Sequence, residues 1–250
     1  MSVSAIILAA GEGSRMKSDL PKPLHEVCGQ SMVMHVVHAL HTVDVASVVV
    51  VVGYRAELVT AHVQAHAPAW AHIAFATQHQ QNGTGDAVSA GLTAIDATSV
   101  PATLLVLPGD TPLLTAQTIA SLVAEHEASG NAATVLVSTL RDATGYGRIV
   151  RNADLSVARI VEHRDATENE RAIAEINTGI YAFRGDLLAP ALSRLSTNNS
   201  QAEYYLTDVV AILASDGHRV GAVSAPEEET AGVNDRDQLA AAEQVLLARS

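Results

Sequence analysis

The sequence predicts an α/β fold: a Rossmann-like, doubly wound and mostly parallel sheet with a small additional β layer. Three observations lead there. Apolar strand-like runs alternate with helix-periodic segments over residues 1–140, which is the pattern of helices covering both faces of a parallel sheet. One run, 47–52, is almost entirely valine, as expected of a strand buried on both faces. Polar, glycine-bearing turns follow apolar runs directly after Leu8 and after Leu107, and open α/β sheets bind ligands beyond the carboxyl ends of their strands.

Residues 3–8 are short, apolar and bounded by a glycine-rich turn, so they read as the first buried strand. Helical spacing follows over 31–41 and 55–66, with strands at 47–52 and 72–76. Residues 84–95 read as a helix, 103–107 as a buried strand ending at Pro108-Gly109-Asp110, 116–127 as a helix and 133–137 as a strand. The rhythm changes after Leu140. Residues 147–151, 157–162 and 176–183 look like strands without long helices between them, which supplies the added layer. Helices are expected at 187–195, 203–214 and 235–248, and a late strand at 219–223. The acidic run Glu227-Glu228-Glu229 reads as a solvated loop. No internal repeat or low-complexity linker divides the chain, so one domain over 1–250 is expected, with a first half 1–140, a second half 141–234 and a terminal helix 235–250.

Composition narrows the function classes. A net charge of −12 argues against a duplex nucleic-acid partner. Aromatic residues at 3% are too few for stacking platforms along a single strand. No run of eighteen apolar residues occurs, so no transmembrane helix and no membrane partner are expected. The N-terminus lacks the basic segment of a signal peptide. The single cysteine, Cys28, leaves no internal disulfide. The cytoplasm is the expected compartment.

The chemistry-bearing residues begin at Leu8-Ala9-Ala10-Gly11-Glu12-Gly13-Ser14-Arg15-Met16. Gly11 and Gly13 let the backbone approach a phosphate, and exposed N–H groups can cradle its oxygens. Ala9 and Ala10 leave room for a flat base. Arg15 offers a fork of donors to a triphosphate, and Lys22 follows between Pro21 and Pro23, which stiffen its backbone. The segment is neither a P-loop nor a complete G-x-G-x-x-G fingerprint. His35, His38 and His41, like His62 and His66, have spacings that could suit zinc, but no accompanying cysteine cluster or paired carboxylate supports that, and they read as solvated helix positions. Cys28 reads as a small core residue.

The pattern L-A-A-G-x-G-[ST]-R-M…L-P-K resembles the sugar-nucleotide pyrophosphorylases. More closely, it resembles the N-terminal uridylyltransferase domain of the bifunctional N-acetylglucosamine-1-phosphate uridylyltransferases. The likeness continues through Gln78 with Gln81-Asn82-Gly83-Thr84-Gly85, through Leu107-Pro108-Gly109-Asp110-Thr111-Pro112-Leu113, and through Gly145-Tyr146-Gly147-Arg148-Ile149. It extends over Ile160-Val161-Glu162-His163, Glu175-Ile176-Asn177-Thr178-Gly179, Glu203-Tyr204-Tyr205-Leu206-Thr207-Asp208 and Gly232-Val233-Asn234.

This resemblance implies the nucleotide-diphospho-sugar transferase fold, with residues 1–140 as a nucleotide-binding half and 141–234 as a sugar-binding half. It implies UTP and a sugar 1-phosphate, N-acetylglucosamine 1-phosphate in the first instance, as substrates. Arg15 and Lys22 become the catalytic cations. Leu8, Ala9, Ala10, Gly11, Gly13, Gln78, Gly83 and Thr84 become nucleotide-binding. Pro108, Gly109, Gly147, Glu162, Asn177 and Asn234 fall on the sugar side, and Asp110 with Asn234 would hold Mg²⁺. The residue types suit these roles. Gln78 carries a donor and an acceptor for the edge of uracil, Thr84 could cap a helix or touch a ligand, and Mg²⁺ takes one or two protein oxygens beside phosphate and water. Glu162, on an apolar strand, needs a partner, either a sugar or an ion pair with Arg148 or Arg164.

The chain departs from the family at Pro23, where Val is usual, at Asp86, where His is common, and at Asp235, where a second Asn is common. Pro108 occupies a variable place near the sugar. Glucose, galactosamine or another acylated sugar therefore stays open as the acceptor. So do transfer of a different nucleotide and a non-catalytic UDP-sugar sensor. The hexapeptide repeats of the bifunctional enzymes are absent from these residues, so no acetyltransferase activity and a monomer are expected.

Overall fold

The computed structural model describes residues 2–96 and 98–249. The chain opens with β1 (Val3–Ala9), a small hairpin of β2 (Glu26–Val27) and β3 (Gln30–Ser31), and α1 (Met32–Ala39). Then come β4 (Val45–Val52), α2 (Ala56–His66), β5 (Ile73–Thr77), α3 (Thr84–Leu92), β6 (Thr103–Pro108), α4 (Ala116–Ser129) and β7 (Ala133–Thr139). The second half adds β8 (Arg148–Arg151), β9 (Val157–Val161), α5 (Glu168–Arg171), β10 (Glu175–Arg184) and α6 (Gly185–Leu192). It closes with α7 (Thr207–Ser215), β11 (Val220–Ser224), α8 (Glu227–Thr230) and α9 (Arg236–Arg249).

The main sheet runs β11-β7-β10-β6-β1-β4-β5. β1 is parallel to both β4 and β6, β4 to β5 and β7 to β11; β10 enters antiparallel between β6 and β7. β8 pairs with β10 and β9. Of the three strands expected to form the added layer after Leu140, β8 and β9 lie off the main path, whereas 176–183 belongs to β10 and is an interior strand of the main sheet. The expected α/β class and mostly parallel sheet are therefore what the chain forms.

Side-chain alternation explains why this sheet is buried on both faces. Ala5, Ile7, Val48, Val50, Val52, Leu105 and Leu107 face α1, α2 and α4 in one core. Ile6, Val49, Val51, Leu104 and Val106 face α3, α6 and α7 in the other. Each such aliphatic side chain contributes about 1.5–3 kcal/mol on full burial. A continuous valine strand is therefore favoured where strands flank it on both sides, as β1 and β5 flank β4, and would be a liability at an edge. The register brings Leu8 opposite Pro108, so the two polar turns noted in the sequence leave the sheet side by side.

Three local expectations are corrected. Cys28 is exposed, not a core residue. It and Gly29 take positive φ, 51° and 77°, at the tip of the β2–β3 hairpin, as a two-residue turn of the primed type demands. The acidic run 227–229 forms α8 rather than a loop, and the Glu229 carboxylate accepts hydrogen bonds from the hydroxyls of Thr115 (2.7 Å) and Thr118 (2.6 Å). The histidines are not simply solvated either: His35 Nε2 contacts the Val27 carbonyl at 2.9 Å and His62 Nε2 the Ser31 hydroxyl at 2.8 Å. No helix among the described residues is long and apolar enough to cross a membrane.

Candidate active site

The site starts in the turn after β1. Gly13 has φ 68° and precedes a single 3-10 turn, Ser14–Met16, anchored by the buried Met16 side chain. A Cβ at Gly13 would overlap the Cβ of Lys22. Glycine is thus required both for the left-handed backbone and for the close packing of Lys22 against the turn. Lys22 opens a second 3-10 turn, Lys22–Leu24, set between Pro21 and Pro23.

The Lys22 ammonium donates to the Asp110 carboxylate and, at 2.7 Å, to the Asn234 amide oxygen. Arg15 Nη2 donates to the same Asn234 oxygen at 2.9 Å. The backbone sets this geometry. The Gly109 N–H donates to the Leu8 carbonyl at 2.9 Å, which ties the start of the Asp110 turn to the end of β1. The Val233 N–H donates to the Asp110 carbonyl at 2.9 Å and so brings Asn234 alongside. Asn234 Nδ2 donates to the Gly232 carbonyl at 3.2 Å, leaving Oδ1 turned toward the two cations.

The opposite wall comes from the added layer and β10. A register shift between Asn177 and Tyr181 re-aims β10 at the cleft. The Thr178 hydroxyl donates to the Leu136 carbonyl (2.7 Å), and the Gly179 N–H to Asn177 Oδ1 (3.1 Å). The Asn177 N–H donates to the Gly147 carbonyl at 2.9 Å, and a Cβ on Gly147 would lie 3.5 Å from both Asn177 Cβ and Glu162 Oε1.

Glu162 follows β9 directly and accepts a hydrogen bond from the Thr207 hydroxyl at 3.2 Å. It makes no ion pair with Arg148 or Arg164. Arg148 is itself buried and donates to the Tyr146 carbonyl and, at 3.4 Å, to His163 Nδ1. Burial pushes the Glu162 carboxyl above the ordinary range. The Thr207 hydroxyl works against this, while the charges of Asp165, Asp208 and Glu203 add to it.

These walls enclose a cleft of about 420 Å³ lined by Leu8, Ala9, Gly11, Gly13, Arg15, Lys22, Thr84, Pro108, Asp110, Glu162 and Asn177, all anticipated from sequence. Beside it lies a smaller hollow of about 220 Å³, lined by Ala10, Gln78, Gly83 and Thr84 among others. Gly109, Gly147 and Asn234 stand behind the cleft walls through the bonds just described.

Gly179, Tyr181 and Thr207 also line the cleft, and Gln81 and Glu203 the hollow. None of these was assigned a role from the sequence, although all but Tyr181 lie inside segments that carried the resemblance. The Thr84 hydroxyl does not cap α3. It accepts the Leu206 N–H at 3.0 Å, stitching α3 to the 204–206 segment.

The chain is similar to a described family and to several known proteins. Residues 4–229 match the family described as nucleotidyl transferase. The bifunctional protein GlmU of Streptomyces coelicolor is 53% identical over 245 residues, covering 97% of this chain and 50% of that protein. GlmU of Thermobifida fusca is 51% identical over 249 residues, covering 98% of this chain and 51% of that protein. The chain spans about half the length of the curated relatives it matches. A solved CMP:2-keto-3-deoxy-manno-octonic acid synthetase complexed with CTP superposes over all of both chains with a TM-score of 0.73 at 19% identity, a likeness of fold. With a family match running through β1, the Lys22 turn, the Asp110 turn and the added layer, this chain belongs to the nucleotidyl transferase family.

Proposed function

We propose that the chain transfers uridylyl from UTP to N-acetylglucosamine 1-phosphate, giving UDP-N-acetylglucosamine and pyrophosphate. One observation carries the reading: Arg15, Lys22, Asp110 and Asn234, from three distant parts of the chain, meet where β1 and β6 end. The names of the relatives and the motif resemblance support the same reaction.

An oxygen of the sugar phosphate attacks the α-phosphorus of UTP as the bond from that phosphorus to the bridging oxygen breaks. Pyrophosphate leaves with the bond's electron pair. The attacking oxygen is already anionic, so no general base is needed, and catalysis reduces to orientation and charge neutralisation. Lys22 and Arg15 neutralise the phosphates. Gln78 and the backbone of residues 8–13 hold the nucleotide. Glu162, Asn177 and Gly147 hold the acylated sugar. Residues 1–140 would thus form the nucleotide half and 141–234 the sugar half.

Asp110 and Asn234 are hard oxygen donors converging on one point that a cation, the Lys22 ammonium, takes in this structure. That arrangement suits Mg²⁺, which Asp110 and Asn234 would hold. When bound, Mg²⁺ would add charge neutralisation across the phosphates of the two substrates. A working monomer in the cytoplasm, the compartment of nucleoside triphosphates, completes the reading.

The test is pyrophosphate release from UTP, Mg²⁺ and a panel of sugar 1-phosphates. Release with N-acetylglucosamine 1-phosphate, abolished by chelator and by Asp110→Ala, is the expected outcome. Release with a different sugar alone would move the substrate, and no release with any sugar would sink the reading.

A further inference from the structure

Gln78 is 5% exposed and lines the smaller hollow. Its side-chain amide nitrogen makes two hydrogen bonds, one to the Gly83 carbonyl at 3.0 Å and one to Asp86 Oδ2 at 2.8 Å. A carbonyl and a carboxylate only accept. The carboxamide therefore has one allowed orientation, with both N–H groups committed to the protein. Its oxygen has no hydrogen-bond partner among the described residues, so it is the one polar atom the side chain has left to offer. The neighbouring Gly83 N–H, at the start of α3, likewise has no acceptor among the described residues.

We infer that Asp86 is a positioning residue for base selection: it locks the Gln78 carboxamide so that only an acceptor faces the pyrimidine edge, which favours uracil over cytosine. The inference rests on the proposed nucleotidyl transfer and assigns one of its specificity determinants.

The chemistry separates the two bases. Uracil presents an N3–H donor flanked by carbonyl oxygens. A fixed acceptor on Gln78 meets that N–H, and the free Gly83 N–H can meet a flanking oxygen. Cytosine presents a bare N3 and a donating amino group at position 4. To pair with the same two protein atoms, its ring must slide by one atom along the edge, against a ribose and triphosphate already held in the main cleft. An unlocked carboxamide would instead flip, donate to the cytosine N3 and lose the distinction. An ionised carboxylate can only accept, so Asp86 holds the carboxamide with its nitrogen turned to the protein.

The experiment compares UTP with CTP for the wild-type chain and for Asp86→Asn, Asp86→Leu and Asp86→Lys. Turnover is read by pyrophosphate release and binding by equilibrium dialysis of each nucleotide, with folding checked by circular dichroism. Wild type should prefer UTP. Asp86→Asn keeps an oxygen acceptor and should retain the preference. Asp86→Leu and Asp86→Lys lack one, so the UTP-to-CTP ratio of kcat/KM should fall by about tenfold, mostly through a higher KM for UTP. Leu and Lys fail to supply an acceptor in different ways, so either folded variant gives the answer.

A folded Leu or Lys variant that keeps the wild-type ratio would overturn the inference and leave the proposed reaction standing. Equal losses in Asp86→Asn and Asp86→Leu would also overturn it, because the acceptor would then not matter. A wild-type chain without turnover on any sugar would sink the proposed reaction. The dialysis preference would still decide the inference: a preference for UTP that collapses in Asp86→Leu supports it, and no preference in wild type ends it.

Discussion

The Lys22 ammonium rests on the Asp110 carboxylate, a contact between residues 88 positions apart that joins the turn after β1 to the turn after β6. The pair is only partly shielded, with the two side chains 13% and 26% exposed. Its role is therefore charge placement more than stability, because a solvent-accessible ion pair contributes about 1 kcal/mol or less.

Lys22→Met should accordingly leave the melting temperature within a few degrees of wild type. It should lower kcat by about 10²–10³-fold, the usual effect of removing one preorganised charge from a transition state. Thermal melting beside pyrophosphate-release kinetics checks both halves. A variant with near-normal kcat would remove Lys22 from the chemistry.

Gly83 has φ 110°, and a Cβ there would come within 2.6 Å of the Tyr204 carbonyl. Gly83→Ala must strain the backbone and push back the 204–206 segment, which is held by the Gly85 N–H on the Tyr204 carbonyl (2.8 Å) and by Thr84 on Leu206. A destabilisation of about 1–3 kcal/mol is expected, with a raised KM for UTP because Gln78 donates to the Gly83 carbonyl. Urea titration and KM measurement test it. An unchanged midpoint would mean that the 204–206 segment yields freely.

The frame of this fold was legible because its signals are local. The valine run of β4, the apolar start of β1 and the glycines after it each state their burial within a few residues. What the sequence hid depends on distant partners. Cys28 looked like core material, and only the β2–β3 pairing shows that it occupies a hairpin tip. Glu229 looked solvated because its hydroxyl partners, Thr115 and Thr118, lie more than a hundred positions away. Asp110 and Asn234 were reached through family resemblance, since nothing in either segment alone reveals that Val233 pairs with the Asp110 backbone. Asp86 was noticed only as a departure; its bond to Gln78 gives that departure a physical meaning.

His126 is buried on α4 against the Thr134 hydroxyl of β7 at 3.0 Å. Burial, with a smaller push from Arg184, lowers its pKa from 6.5 to about 4. The folded protein therefore holds it neutral. Stability from this group is fully present above about pH 6.5 and is lost as pH falls toward 4, on the order of 3 kcal/mol in all. His126→Gln should flatten the stability-versus-pH curve across that window, as read by urea midpoints at pH 7, 6, 5 and 4. Parallel curves for the two proteins would show that another group drives the acid loss.

Glu162 has the opposite sign. Its carboxyl is raised above the ordinary 4.5, first by burial, so the folded state favours the protonated form. Stability associated with it is complete below about pH 4.5 and declines as pH rises through the folded value. The neutral isostere Glu162→Gln removes the buried charge and should melt higher than wild type at pH 7 to 8, with the gap closing toward pH 4.5. If Glu162 holds the sugar as proposed, the same change removes an acceptor for it, so KM for the sugar 1-phosphate should rise about tenfold or more while KM for UTP stays near wild type. That split separates a residue that holds the sugar from one that only supports the fold. A variant that loses stability at neutral pH, or that raises both KM values together, would reverse the assignment.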